Sequence, residues 1–260
     1  MRLRAGCELQ ITATPNAPFV SILQPQSGWA QNVWEEKFIV SPSAKGREFI
    51  DGFGNRCRRL LAPAESFTIR AEVLAEVSDQ ILVDESAPYT EPEFLPDETL
   101  QYLLPSRYCP SDKLLDQAQE IVTGIEPGYQ QAQAFTNYIR NNITYKYGVS
   151  DGSTSALDTL RQGAGVCRDY AHIGISFCRA MQIPARMVAG YLYGLDPMDQ
   201  HAWFEAYFDG TWYTFDATQD QPRGGRIVIA YGRDAADVAL ITELGQLKTD
   251  HMDVWVEPAE

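Results

Sequence analysis

The dipeptide Asp209-Gly210 separates two stretches that alternate apolar and polar side chains, and no other feature dictates more of this chain's architecture. Asp-Gly supplies the left-handed backbone that a two-residue hairpin turn requires. Such a turn pairs Phe208 with Thr211 and Tyr207 with Trp212; further out it sets His201 opposite Thr218 and Asp216 opposite Trp203. Side chains alternate across a strand, so His201, Trp203, Glu205, Tyr207, Trp212, Thr214, Asp216 and Thr218 share one face. The other face carries Ala202, Phe204, Ala206, Phe208, Tyr213, Phe215 and Ala217, which is a core. His201 and Asp216 become diagonal neighbours about 7–8 Å apart at Cα. That separation suits an imidazole–carboxylate hydrogen bond.

Upstream lies a helix beginning near Val166 and stopping before Pro184, since proline disfavours the helical conformation of the residue before it. Tyr170, Ile173, Phe177 and Met181 recur at helical spacing, and Ala171, Gly174 and Cys178 form a stripe of small residues beside them. Small side chains allow close approach of another element, so this helix is expected to be central. Its first turn holds Cys167, within Gly163-Ala164-Gly165-Val166-Cys167-Arg168-Asp169-Tyr170. A helix N-terminus offers positive potential and free N–H groups, which lower a thiol's pKa and stabilise an oxyanion. Arg168 and Asp169 are expected either to orient this helix entry or to form an ion pair at the surface. Cys178 reads as packing, and Cys7, Cys57 and Cys109 have no comparable setting. Among the three histidines, His172 lies five positions along the same helix and points away, and His251 reads as surface. His201 remains as the base. The order Cys167, His201, Asp216 then supplies a nucleophile, a base and an orienting group.

Before residue 80 the chain reads as short strands, at 9–14, 19–23, 34–40, 47–50, 57–61 and 66–75, punctuated by Pro15-Asn16, Asp51-Gly52 and Gly54-Asn55. Proline and acidic residues between 86 and 97 mark a linker. Helices are expected at 111–122, with Ser111 as N-cap, and at 129–143. Strands are expected at 186–193, 202–208, 211–216, 226–231 and 252–256. The expected organisation is an all-β module over residues 1–95 and an α+β catalytic domain over 96–260.

Charge narrows the partners. With 35 Asp+Glu against 21 Lys+Arg the net charge is −14, which repels phosphate backbones and anionic lipid and argues against nucleic-acid and membrane partners. The start lacks an apolar signal-peptide core, and no apolar run is long enough to span a bilayer. Five scattered cysteines without a CxxC pair suggest neither disulfides nor zinc, and no EF-hand loop is present. A reducing, cytoplasmic setting and no metal or other cofactor are expected.

Four segments in combination, Gly165-Val166-Cys167-Arg168-Asp169-Tyr170-Ala171-His172, Ile183-Pro184-Ala185-Arg186-Met187-Val188-Ala189-Gly190-Tyr191, His201-Ala202-Trp203 and Phe215-Asp216-Ala217-Thr218, resemble bacterial transglutaminase-like proteins of the cysteine-protease type. Asp51-Gly52-Phe53-Gly54-Asn55 resembles a turn of the β-rich N-terminal module such proteins carry, and residues 232–238 resemble a segment after the triad. The resemblance implies a papain-like core, in which a helix bearing cysteine packs on an antiparallel sheet bearing His and Asp. It carries the three catalytic roles onto Cys167, His201 and Asp216. Ala217 departs from the proline common there, which shapes backbone but does no chemistry. Tyr147, Trp203, Trp212 and Arg233 are expected to line the substrate cleft, with Tyr145 beside Tyr147. The expected activity is hydrolysis of a peptide or protein amide through a thioester. Transfer of the acyl group to an amine, and peptide binding without catalysis, stay open as alternatives.

Overall fold

The computed structural model describes residues 1–28 and 31–259. The N-terminal strands are β1 (Arg2–Ala13), β2 (Pro18–Ser21), β3 (Gln31–Ser41), β4 (Gly46–Ile50), β5 (Arg56–Leu61) and β6 (Ser66–Val77). Alternation does what it should: along β6, Phe67, Ile69, Ala71, Val73, Ala75 and Val77 are buried while their neighbours are not. Leu9, Ile11, Phe19, Leu60, Phe67 and Ile69 share one apolar core.

Then come α1 (Leu115–Ile121), α2 (Tyr129–Asn142), β7 (Thr144–Tyr145), α3 (Ala156–Gln162), β8 (Ala164–Gly165) and α4 (Cys167–Ala180). They are followed by β9 (Ala185–Leu192), β10 (His201–Phe208), β11 (Thr211–Phe215), β12 (Arg226–Gly232), β13 (Ile241–Glu243) and β14 (Leu247–Pro258). The hairpin register is the expected one, Phe208 on Thr211 through Phe204 on Phe215, with Asp209 at φ 44° and Gly210 at φ 79°. Helix α4 packs on β9 and β10 as the central helix. A methyl group at Gly174 would collide with the Phe204 ring, which explains the small-residue stripe. Ser111 differs from expectation: it opens a 3₁₀ turn, makes no side-chain cap, and α1 begins only after the buried Leu114. Among the described residues no helix is long and apolar enough to cross a membrane.

The end of the chain departs from the expected division. Strands β13 and β14 do not extend the sheet that follows α4, whose order is β11-β10-β9-β12. They complete the two sheets of the N-terminal module, in the orders β14-β1-β6-β3 and β13-β2-β5-β4. The reason is the length of β1, twelve residues with two hydrogen-bonding edges, of which β6 covers one and β14 the other. The segment from 96 to 260 therefore contributes to both layers.

The module also closes the β12 edge of the β11-β10-β9-β12 sheet. Gln31 donates to the Val228 carbonyl (2.8 Å) and accepts from its N–H (2.7 Å). Asn55 makes the same pair of bonds to Tyr231, at 2.7 and 2.8 Å. Two side-chain amides thus stand in for a neighbouring strand on β12. The second face of β10 and β11 is covered as well. Trp203, Val188 and Val228 form a small core of their own, and Arg186 pairs with Glu205 (2.8 Å) between the rings of Trp212 and Tyr231.

Candidate active site

Cys167 is the first residue of α4, after Val166 in extended conformation. The buried Asp169 carboxylate accepts the Val166 N–H at 2.9 Å and is gripped by Arg168 through Nε (3.2 Å) and Nη2 (3.0 Å). That arrangement fixes the first turn and leaves the N–H groups nearest the thiol free. The short parallel pair β7–β8, Thr144 on Ala164 and Tyr145 on Gly165, ties a tyrosine segment to the approach of Cys167. The Tyr145 phenol is consequently next to Cys167, and burial together with the thiol's charge pushes its pKa up. Cys167 is partly exposed, whereas the other four cysteines are buried.

His201 begins β10, and its Nε2 lies 2.7 Å from Asp216 Oδ2. The remaining ring nitrogen is not engaged by Asp216, and the Cys167 thiol is near: its Sγ lies 4.0 Å from the carbonyl of Gln200, the residue before His201. Burial alone would depress the imidazole; the charge and hydrogen bond of Asp216, aided by Cys167, outweigh it and lift the pKa to about 9. Burial would likewise raise Asp216, but His201, Arg226 and Thr218 hold it well below the usual carboxylate range. Its Oδ1 accepts the Thr218 hydroxyl (2.7 Å) and N–H (3.1 Å), and its Oδ2 also accepts Arg226 Nη2 (2.9 Å).

Beside His201 opens a cavity of about 450 Å³, walled by Tyr145, Tyr147, Tyr170, Asp196, Asp199 and Gln200 among others. The Gln200 carbonyl lies 4.0 Å from Cys167 Sγ, so cavity and thiol adjoin. Tyr147 stands on this wall, edge-on to Tyr145 with ring centroids 5.6 Å apart. Trp203, Trp212 and Arg233 do not. Trp203 is 1% exposed, packed beneath the sheet. Trp212 is held by Arg186 and by Tyr102, whose ring centroid is 5.4 Å away. Arg233 is committed to Asp237 through Nε (2.9 Å) and Nη2 (3.1 Å). The two tryptophans were expected at the cleft from their place on the His201 face of the hairpin, and Arg233 from the segment that follows it; the cavity instead opens beside His201, away from all three. A smaller cavity of about 330 Å³, near Pro92, Leu103 and Leu115, is lined by neither cysteine nor histidine.

Sequence reasoning passed over Arg226, whose partner Asp216 is ten residues away and reached across the sheet. It also passed over the buried cluster behind α4. There Arg179 bonds the carbonyls of Leu104 (3.0 Å) and Arg233 (2.6 Å), and Asp234 accepts the Tyr108 and Ala236 N–H groups. His172, fully buried and stacked on Tyr108, accepts the Ala235 N–H at 3.2 Å. The acidic pattern of residues 232–238 was a signal for this cluster, since buried charges need partners. Among the described residues no group of three or more His, Cys, Asp or Glu is placed to hold a metal ion.

The profile of the Transglutaminase-like superfamily matches residues 116–217, a span that includes all of α4 and the triad positions. A solved protein of Cytophaga hutchinsonii, described as a candidate cysteine protease, is 34% identical. It superposes with a TM-score of 0.91 over 99% of this chain and 90% of its own. An uncharacterized protein of Mycobacterium leprae is 29% identical over 90% of this chain and 89% of its own length. One of Mycobacterium tuberculosis is 25% identical over 83% of this chain and 77% of its own. A cysteine at the head of a central helix, packed on an antiparallel sheet that carries His and Asp, is the papain-like architecture these matches describe, and the chain belongs to the transglutaminase-like superfamily.

Proposed function

We propose that this chain is a cysteine amide hydrolase acting on peptides or proteins, with Cys167, His201 and Asp216 as its catalytic triad. The observation that carries the reading is the His201–Asp216 hydrogen bond of 2.7 Å, with the thiol at the head of α4 brought to 4.0 Å from the carbonyl of Gln200, the residue before His201. The Cys167 thiolate attacks the amide carbon, and N–H groups of the first helical turn receive the developing oxyanion. His201, holding the proton taken from the thiol, passes it to the leaving amine as the C–N bond breaks. Water then attacks the thioester, His201 takes the water's proton, and the carboxylic acid leaves as the thiolate is restored. Asp216 keeps the imidazole oriented throughout.

Water is favoured over an amine as acceptor because the tryptophans that would wall a dry channel, Trp203 and Trp212, are engaged elsewhere. Three tyrosines line one part of the cavity wall, but Asp196, Asp199 and Gln200 line another and give water hydrogen-bonding partners near the thioester. A transferase has to keep water from its thioester, and such groups work against that.

The test is a peptide library incubated with the protein and a labelled primary amine, followed by mass spectrometry. New peptide termini or released ammonia, with a trapped acyl adduct on Cys167, is the expected result. Amine incorporation that outruns hydrolysis would make the protein a transglutaminase. No turnover and no adduct, with Cys167 still alkylating rapidly, would favour peptide binding without catalysis.

A further inference from the structure

The Asp216 carboxylate serves two cations on one oxygen. Oδ2 accepts from His201 Nε2 at 2.7 Å and from Arg226 Nη2 at 2.9 Å. Arg226 lies on β12, two strands beyond β10 in the sheet. It reaches across because the β9 residue paired with His201 is Gly190, where any side chain would collide with the Trp203 indole and the Ile227 carbonyl. The guanidinium lies over that indole, 4.8 Å from its centroid, and Arg226 Nε donates to the Arg223 carbonyl at 3.1 Å. The side chain is 6% exposed.

Arg179, the other deeply buried arginine, is satisfied by neutral carbonyls. Arg226 is directed onto the oxygen that His201 depends on. A cation at that oxygen competes with the imidazolium for the same negative charge and repels it. It also removes the carboxylate's freedom to rotate, because Oδ1 is already pinned by Thr218.

We propose that Arg226 is a positioning residue of the triad: it fixes the Asp216 carboxylate and takes up part of its charge, so that His201 releases its proton more readily than a bare His–Asp pair allows. The consequence rests on the hydrolase reading. An imidazolium held too tightly is a poor acid toward the leaving amine and a poor base toward water, and Arg226 limits both faults. The charged and titratable groups facing His201 are Asp216 beyond β11, Cys167 from α4, Arg226 from β12 with Arg223 just before it, and, around the adjoining cavity, Arg140, Tyr145, Tyr147, Tyr170, Asp196 and Asp199.

The experiment is an NMR pH titration of the His201 imidazole in the wild-type protein and in Arg226→Met, Arg226→Gln and Arg226→Lys, with folding verified by thermal melting. It needs no substrate, so an inactive protein tests it as well as an active one. In the Met and Gln variants His201 should titrate about one pH unit higher than wild type, the lower end of the effect of a neighbouring charge. Arg226→Lys, which keeps a cation but withdraws it from Oδ2, should fall between. His201 titrating at its wild-type pH in any folded variant would overturn the proposal. So would loss of the fold in all three, which would make Arg226 a purely structural residue.

Discussion

Five free thiols in one chain experience very different electrostatics. Burial pushes the Cys109 thiol up to about 12, lifts Cys57 to about 11, with Asp51 adding to it, and raises Cys7 and Cys178 as well. Cys167 has a helix N-terminus, an imidazole and partial exposure. Iodoacetamide at neutral pH should therefore modify Cys167 well ahead of the rest, and His201→Ala should slow the reaction by removing the base that takes the thiol's proton. Mass-spectrometric mapping that found Cys57 or Cys109 labelled equally fast would refute this. Asp216→Asn keeps the shape but removes the charge that orients His201, and should lower turnover by about 10⁴, the loss seen when a triad aspartate becomes asparagine. It should also lower the melting temperature, because Arg226 then lies buried without a counter-charge. Full activity in this variant would move the orienting role to another acid. The pH sense of the pair follows from its two shifts. The raised His201 contributes stability that is complete below its unfolded value and is lost as pH rises through about 9. The depressed Asp216 contributes above its unfolded value and loses that as pH falls.

Elements whose function depends on one residue period or one turn were legible in the sequence. Those set by a distant partner were not. The β10–β11 hairpin and α4 follow from an Asp-Gly turn and a small-residue stripe, and both appear as expected, together with the diagonal approach of His201 to Asp216. Helix α3 was missed although its signals were local: Ser155 and Asp158 form a capping box, and Gly163 at φ 68° closes the helix. Trp203 was misplaced because alternation says which side chains share a face but not what lies against that face. The amide bridges on β12 could not be foreseen either, since Gln31 and Val228 are 197 residues apart. Those bridges are testable. Asn55→Ala leaves the Tyr231 N–H and carbonyl unpaired in a buried strand edge, at a cost of about 1–3 kcal/mol for each unsatisfied group. A denaturant midpoint unchanged from wild type would show that water replaces the amide without loss. His172, at the rear of α4, gives a second test. Burial depresses it to about 4, so the unfolded chain binds a proton that the folded one refuses as pH falls from about 6.5 to 4. Acidification across that window should cost on the order of 3 kcal/mol of stability. His172→Gln, which keeps an acceptor for the Ala235 N–H, should flatten the decline; equal slopes for both proteins would exclude His172 as its cause.

At the scale of the whole molecule, the largest apolar core is common to the module and to the helix–sheet layer. Leu3, Ala5, Val73 and Ala75 from the N-terminal strands belong to the same apolar cluster as Phe135, Ile173, Phe177 and Phe204. The chain's two ends close on each other: β14 pairs with β1 from Leu3 on Pro258 to Ala13 on Leu247, burying Leu247 and Val256. Trp255 adds a cation–π contact with Arg70, 4.3 Å from its centroid. Two independently folding domains would melt separately and tolerate loss of the last strands; one shared core predicts a single calorimetric transition. Removal of residues 241–260 strips β13 from β2 and β14 from β1, and leaves the twelve-residue β1 with one edge bare. An unpaired, long, apolar edge is a template for aggregation. The lost packing is large beside a total stability of roughly 5–15 kcal/mol. The truncated protein should be insoluble or, if recovered, should lose the single sharp transition together with fast alkylation at Cys167. A soluble 1–240 chain that melts cooperatively and still alkylates at the wild-type rate would show the C-terminal strands to be an appendage, and the active site to stand on the helix and sheet alone.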